Sequence, residues 1–224
     1  GPSGKPGEGA IEPAKDTQTT RQTIKTAEFD DFGNARSQDI SSEAYLKSAD
    51  GTYAFSFTQS QNIKNDPFDF RDRTGHAEIT TYTDLGQTKA SDKQNIYYDA
   101  YDDFGNVLAQ RVDTETAVTD PLTGANVFDK GKPTFKYKDT NTSTNSYANA
   151  VAARRGNATQ TEVIRYKGKD SVEPEPVLCD NGLYSYTEKT TVVKLEKTLT
   201  DSSGFDPRGY ASLQTSVTSR WDAG

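Results

Sequence analysis

A ten-residue phrase occurs twice in this chain, and the repetition is the feature that most constrains its fold. The first copy, FDDFGNARSQ, spans residues 29–38, and the second, YDDFGNVLAQ, spans residues 101–110. Each copy begins with an aromatic residue and an aspartate and reaches a glycine four positions after the aromatic residue. The repetition indicates that one local structure is used more than once along the chain.

Alignment on the glycine of this phrase finds further copies. The aligned turn repeats fall near residues 29–38, 71–80, 82–91, 101–110, 152–161 and 205–214. The consensus is an aromatic residue, Asp, two variable residues, Gly, a polar residue and a small one. The turn-forming residues predicted from this alignment are Asp30, Gly33, Gly75, Asp84, Gly86, Asp102, Gly105, Gly156, Asp206 and Gly209.

This pattern is typical of a tight reversal between two strands. Asp at the first turn position accepts hydrogen bonds from the backbone just after it, and Gly three residues later supplies the positive φ of a type I turn with a bulge. The alternative interpretation is a Ca²⁺ loop. An EF-hand loop needs oxygen ligands at alternate positions and a closing Glu, which the phrase lacks. The sequence therefore predicts turns with no structural metal and no cofactor, and at most loose binding of Ca²⁺ by surface acids.

The segments between the turns have strand character. YAFSFT at residues 53–58 alternates aromatic and small residues, and residues 183–199 are largely β-branched and polar. The segment at residues 146–155 fits either one short helix or another strand. Because only 32% of the residues are hydrophobic, any core must be thin. We expect an all-β fold, an antiparallel sheet of hairpin repeats with long strands and little or no helix.

The first residues have a different composition from the rest. Residues 1–25 are rich in Gly, Pro, Lys, Glu and Thr, and Gly1-Pro2 resembles what remains after an expression tag is cleaved. We expect residues 1–25 to be a flexible leader or linker and residues 26–224 to be the β-hairpin repeat domain, a fragment of a longer protein.

Charge and hydropathy bear on the partners. Lys and Arg total 26 against 33 for Asp and Glu, a formal net charge of −7. Such a chain has no basic footprint for nucleic acid. No stretch approaches the ~20 apolar residues of a membrane span, so we expect no membrane insertion.

The YDDFGNVLAQ phrase resembles a YD repeat of the RHS/YD family, whose unit is a Tyr-Asp-x-x-Gly turn on antiparallel hairpins. The resemblance implies a large bacterial secreted or cell-surface protein with an extracellular location. It implies a structural or adhesive module that presents an extended β-sheet and has neighbouring repeats of the same chain as partners. A further alternative from the family is part of a shell that encloses a toxin cargo.

Catalysis finds little support in the sequence. His76 is the only histidine and Cys179 the only cysteine, so a Ser-His-Asp triad would have to use His76. His76 follows Gly75 as Asn34 follows Gly33, which favours a turn-exit residue. No pair of acids stands out for glycoside hydrolysis. We expect no catalytic centre.

Ligand binding is the alternative to a structural role. An aromatic stripe would let sugar rings stack, and the partner would then be a glycan or another surface protein. The same rings would otherwise cover a thin core or pair across strands. The candidate ligand-binding residues are Tyr53, Phe55, Phe57, Tyr97, Tyr101, Tyr184 and Tyr186.

Overall fold

The computed structural model describes residues 20–47, 52–168, 176–178, 184–186, 192–206 and 210–221. Ten strands form one sheet: β1 (Thr20–Phe29), β2 (Ala35–Lys47), β3 (Tyr53–Asn65), β4 (His76–Tyr82), β5 (Ala90–Tyr101), β6 (Val107–Ala117), β9 (Phe135–Ser146), β10 (Gln160–Gly168), β13 (Val192–Phe205) and β14 (Ala211–Arg220). Two small ribbons, β7 (Phe128–Asp129) with β8 (Lys132–Pro133) and β11 (Pro176–Leu178) with β12 (Tyr184–Tyr186), interrupt the series.

Every neighbouring pair in the ten-stranded sheet is antiparallel, and the strands are ordered as they occur in the chain. The predicted all-β antiparallel fold is therefore confirmed. β1 and β14 are the two edges of the sheet. Because the strands alternate in direction, the β1–β2, β3–β4, β5–β6, β9–β10 and β13–β14 connections all lie along one end of the sheet, which we call the turn edge.

Two local expectations are refined. β1 begins at Thr20, ahead of the predicted domain boundary at residue 26. Residues 146–155, which fitted either helix or strand, contain the short helix α1 (Ala150–Arg154), because Asn149 accepts hydrogen bonds from the Val151 and Ala152 N–H groups as an N-cap.

The two faces of the sheet differ in chemistry. One face, which we call the aliphatic face, carries three cross-strand pairs, Ile24 with Ile40, Ile63 with Ile79, and Ile96 with Val112. These side chains are half-buried, apart from Ile24, which is 57% exposed. No second large sheet covers this face within the described residues.

The opposite face, which we call the polar face, holds a buried ionic cluster at its centre. Arg111 is 0% exposed, and its Nε donates to Asp113 Oδ1 at 2.7 Å. Thr140 Oγ1 donates to the same Asp113 oxygen at 2.6 Å, and Tyr137 bonds Thr140 at 3.0 Å. Beside it, Lys93 pairs with Glu115. The centre of the fold is thus held by charge-assisted hydrogen bonds.

Apolar burial is scarce, as the composition indicates. The buried apolar side chains of the described residues are Ala77, Ala90, Ala117 and Tyr166. A sheet with so little apolar core depends on its ladder of backbone hydrogen bonds and its cross-strand side-chain pairs.

Candidate functional site: the turn edge and the aromatic residues

The two copies of the ten-residue phrase, at residues 29–38 and 101–110, form the same turn, which we call the founding turn. In the β1–β2 connection the Asp30 N–H donates to the Asn34 carbonyl at 2.9 Å, and the Gly33 N–H donates to the Asp30 carbonyl at 3.1 Å. In the β5–β6 connection the Asp102 N–H donates to the Asn106 carbonyl at 3.0 Å, and the Gly105 N–H donates to the Asp102 carbonyl at 3.2 Å. Gly33 and Gly105 have φ of 91° and 88°. This is the geometry of a type I turn with a glycine bulge.

The aspartate of each turn binds its loop with both carboxylate oxygens. Asp102 Oδ1 accepts from the Phe104 and Asn106 N–H groups at 2.9 and 2.8 Å, and its Oδ2 accepts from Asn106 Nδ2 at 2.7 Å. Asp30 makes the same three contacts, with Phe32 and Asn34, at 3.0, 2.7 and 2.9 Å. The Asp and the Asn of the phrase are therefore turn-building residues.

A further copy of this turn lies where the glycine alignment misses it. In the β3–β4 connection, Asp69 Oδ1 accepts from the Arg71 and Arg73 N–H groups at 2.8 and 3.0 Å, and its Oδ2 accepts from Arg73 Nε at 2.8 Å. Asp72 takes the glycine position with φ of 58°. The repeat predicted at 71–80 was therefore misplaced, and the true copy is FDFRDR at 68–73. Gly75 lies at the exit of this loop, and its carbonyl accepts from the Tyr98 N–H of β5 at 3.0 Å.

The β4–β5 turn also departs from the prediction. Asp84 Oδ1 accepts from the Thr88 and Lys89 N–H groups at 2.9 and 2.7 Å. The residue with positive φ is Gln87, at 55°, and not Gly86. Gly86 stands two residues after the Asp instead of three, so Gln87 occupies the left-handed position that Gly33 and Gly105 occupy in the founding turns.

The remaining predicted turn residues fall in two connections. Gly156 ends α1 rather than a hairpin: it has φ of 70°, its N–H donates to Ala153, and the Asn157 N–H donates to Ala152, a Schellman motif. In the β13–β14 connection Asp206 Oδ1 accepts from the Tyr210 N–H at 2.9 Å. Gly209 lies outside the described residues.

Comparison of these hairpins defines a longer repeat unit. In three of them a cross-strand aliphatic pair stands six residues before the Asp and ten residues after it, as Ile24 and Ile40 stand around Asp30. In the β13–β14 hairpin the same positions hold Thr200 and Ser216, whose hydroxyls are 2.9 Å apart. An alignment on the aromatic-Asp pair, with this spacing, would have found the unit in the sequence.

The turns are also joined to one another along the turn edge. Asn34 Nδ2 donates to Asp72 Oδ1 at 3.0 Å, which links the first turn to the second. A guanidinium nitrogen of Arg73 donates to the Asp102 carbonyl at 3.0 Å, which links the second to the third. Asn106 Nδ2 donates to the Ala153 carbonyl of α1 at 2.6 Å. In these three turns, the residue four positions after the Asp thus binds its own turn and the next connection.

The turn carboxylates are held in the ionised state. Burial tends to raise the pKa of Asp102, but hydrogen bonds from the Asn106 side chain and from the Asn106 and Phe104 N–H groups outweigh it and lower the pKa below its ordinary value. The pKa of Asp30 is lowered for the same reasons. For Asp84 the hydrogen bond from the Thr88 side chain is the largest cause of a lowered pKa.

The predicted aromatic stripe is divided between distant parts of the sheet. Ser60 pairs with Tyr82 at the last residue of β4, and His76, the first residue of β4, pairs with Tyr97. Because Phe57 precedes Ser60 in β3, it lies about 20 Å or more along the strands from Tyr97. The seven rings therefore do not form one continuous stripe.

The aromatic residues near the start of β3 form a cluster with Tyr45, which was not among the residues predicted from the sequence. Tyr45 of β2 stacks on Tyr53 with ring centroids 5.7 Å apart and contacts Phe55 at 5.2 Å. The Arg21 guanidinium lies over the Phe55 ring at 4.6 Å and pairs with Glu43 at 2.6 Å. Tyr53 is 57% exposed. We call Tyr45, Tyr53 and Phe55 the aromatic cluster.

The other predicted rings have local partners. Tyr97 stacks on His76 with centroids 4.7 Å apart, and the Arg111 guanidinium lies 5.6 Å from its ring centroid. Tyr101 donates its hydroxyl to the Thr74 carbonyl at 2.8 Å, and Arg73 lies over its ring at 4.7 Å. Tyr184 and Tyr186 are in β12, but their side chains lie outside the described part of the structure.

Among the described residues, the candidates for chemistry are not assembled into a site. His76 Nε2 lies 3.3 Å from Asn95 Oδ1, and burial lowers the pKa of the imidazole. Cys179 lies outside the described residues. Across the described ranges, no group of three or more His, Cys, Asp or Glu side chains is placed to hold a metal ion.

No protein-family model matches the chain, and no curated protein matches its sequence. The likeness to YD repeats remains a prediction based on the turn motif. The part of the chain that the structure describes contains no helix with the length and apolarity to cross a membrane.

Proposed function

We propose that this chain is a structural or adhesive module of a long bacterial cell-surface or secreted repeat protein. The observation that supports the proposal most is the linked turn edge, where Asn34 and Arg73 each bind their own turn and the following one. Such links fix successive hairpins side by side and leave the two faces and edges of the sheet to meet partners. A function spread along repeated units is typical of repeat proteins.

The location of the protein in its source cells tests this proposal. Antibodies raised against the purified chain should label intact cells, or should detect the protein in the culture medium. The control is an antibody against a cytoplasmic protein, which should label only permeabilised cells. Labelling of the chain only after permeabilisation, with none in the medium, would refute the proposal.

Carbohydrate binding is a second candidate function, and the aromatic cluster favours it. Tyr53 presents an exposed ring beside Tyr45 and Phe55 on one face of the sheet. Glycan-array binding that is lost in Tyr53→Ala would support this function. The matched control is Phe32→Ala, because Phe32 is 86% exposed in the first turn, away from the cluster. Absence of binding to the array by the unaltered chain would count against it.

A further inference from the structure

The last strand of the sheet has an edge that is open to another strand. All ten residues of β14 are exposed, and among the described residues its sheet neighbour is β13 alone. Natural edge strands are commonly protected by charged residues, Pro or bulges. β14 has no charged residue before Arg220 and contains no Pro. Its outer backbone groups are therefore suited to pair with a further strand.

The direction of the strands decides which partner keeps the sheet regular. β1 runs towards the turn edge and β14 runs away from it, because all ten strands alternate. A second copy that places its β1 beside β14 is therefore antiparallel to it and keeps all turns on one edge. Antiparallel two-fold contacts between two β1 strands or two β14 strands would put the turn edges of the copies at opposite ends, and parallel two-fold contacts would put their polar faces on opposite sides.

The hydrogen bonds along the turn edge favour the first arrangement. Within the chain, Asn34 reaches Asp72 of the next turn, and Arg73 reaches the Asp102 carbonyl of the turn after it. When β1 follows β14, the turn at 206–210 comes beside the turn at 30–34 of the second copy, as adjacent turns do within one chain. A two-fold contact provides no such neighbour.

The two strands are also compatible in length, face and charge. Both contain ten residues. Within the chain, the seventh residue after one turn Asp pairs with the fifth residue before the next turn Asp, as His76 pairs with Tyr97. The same register between copies puts Leu213 opposite Lys25. Lys25 and Leu213 lie on the polar face, as the cross-strand partners show when they are followed from strand to strand. No two like charges face each other in this register.

We propose that β14 of one copy pairs antiparallel with β1 of a second copy and extends the sheet head to tail. A contact between two different surfaces of this kind propagates into an array. The inference rests on the proposed structural role, because it describes how such modules would join. The partner surface is β1 of the same chain.

A charge substitution at Leu213 tests both the pairing and its register. Leu213→Lys puts a cation opposite Lys25 of the partner copy, and Leu213→Glu puts an anion there. We expect the lysine variant to associate about two- to fivefold more weakly and the glutamate variant more tightly by a similar factor. Within the chain Leu213 faces Ser203, so neither new charge meets a like charge across its own hairpin. Sedimentation velocity over a concentration series measures the association.

Each outcome of this comparison is informative. A β14–β14 contact puts no cation of the partner copy opposite residue 213, so the glutamate variant would not associate more tightly than the unaltered chain, which would overturn the proposal. Equal association by the two variants would overturn the register. An unaltered chain that stays monomeric up to its solubility limit would overturn the pairing itself.

A backbone substitution provides an independent test. The Trp221 N–H donates to the Leu195 carbonyl at 3.1 Å, so the alternating Ser216 N–H points away from β13. Ser216→Pro removes that outward donor, which an edge strand tolerates. We expect Ser216→Pro to abolish association and Ser216→Ala to retain it, with unchanged circular dichroism in both. Undiminished association of a folded Ser216→Pro variant would refute the pairing. Labelling of intact cells does not depend on either result, so failure here is distinguishable from failure of the proposed function.

Discussion

Substitution by alanine should have different effects on stability at Gly105 and at Gly86, two glycines with similar sequence surroundings. Both follow an Asp in a strand connection, as DDFG and TDLG. Gly105 has φ of 88°, whereas in the other turn the positive φ of 55° belongs to Gln87. Alanine should therefore strain the backbone at position 105 but not at position 86.

The magnitude follows from the local geometry. A Cβ built on Gly105 meets no atom within 4 Å, so an added methyl group causes no clash. The left-handed conformation costs an L-residue about 1–2 kcal/mol, and loss of glycine freedom in the unfolded chain offsets about 0.4–1 kcal/mol. We expect Gly105→Ala to lower the free energy of unfolding by about 1 kcal/mol, and Gly105→Val by more because Val is β-branched.

The comparison variant should behave differently. A Cβ on Gly86 meets Asp84 Oδ2 at 3.3 Å and Thr88 Cγ2 at 3.8 Å, both in side chains. The tight contact opposes the entropic gain, so Gly86→Ala should change the free energy of unfolding by less than about 0.5 kcal/mol. Gly33 has φ of 91° and equally open surroundings, so Gly33→Ala should repeat the result at Gly105.

Urea unfolding measures these differences. Far-UV circular dichroism follows the sheet, and the fluorescence of Trp221, the single tryptophan, follows the β14 end. A loss of 1 kcal/mol also lowers the Tm by about 2–4 °C in a chain of this size. If Gly105→Ala is neutral, or if Gly86→Ala costs as much as Gly105→Ala, the reasoning from backbone conformation is wrong.

Three further predictions concern the aspartate turns, the histidine and the buried ion pair. Asp102→Ala removes three hydrogen bonds to a carboxylate and should cost about 2 kcal/mol in urea unfolding, whereas Asp103→Ala, whose side chain is 90% exposed, should cost less than about 0.5 kcal/mol. Burial lowers the pKa of His76, so protonation of the imidazole favours the unfolded chain. As the pH drops through and below 6.5, the Tm of the unaltered protein should therefore fall more than the Tm of His76→Gln. Parallel profiles of Tm against pH for the two proteins would contradict this. Arg111→Met leaves Asp113 buried without its cation and should lower the free energy of unfolding by about 3–5 kcal/mol. In thermal unfolding, the double variant Arg111→Met with Asp113→Leu should recover most of that loss. A double variant as unstable as Arg111→Met alone would refute the argument.

The local sequence pattern was sufficient to predict the fold class and the founding turn. An Asp followed by Gly three residues later encodes its own reversal, because the carboxylate binds N–H groups only two and four residues away. Alternating β-branched and aromatic residues between such reversals leave antiparallel strands as the consistent solution. These interactions are local, so the sequence determines them without knowledge of distant residues.

Only the tertiary structure decided which residues meet across the sheet. Tyr45 joins Tyr53 and Phe55 because of the β2–β3 register. Tyr97 lies far from them along the strands because it pairs with His76, at the opposite end of β4. Arg111 and Asp113 look like surface residues in an alternating strand, yet they are buried beside Thr140 of β9. Register, strand order and turn length set these contacts, and a one-residue change in any of them reassigns every side chain that follows.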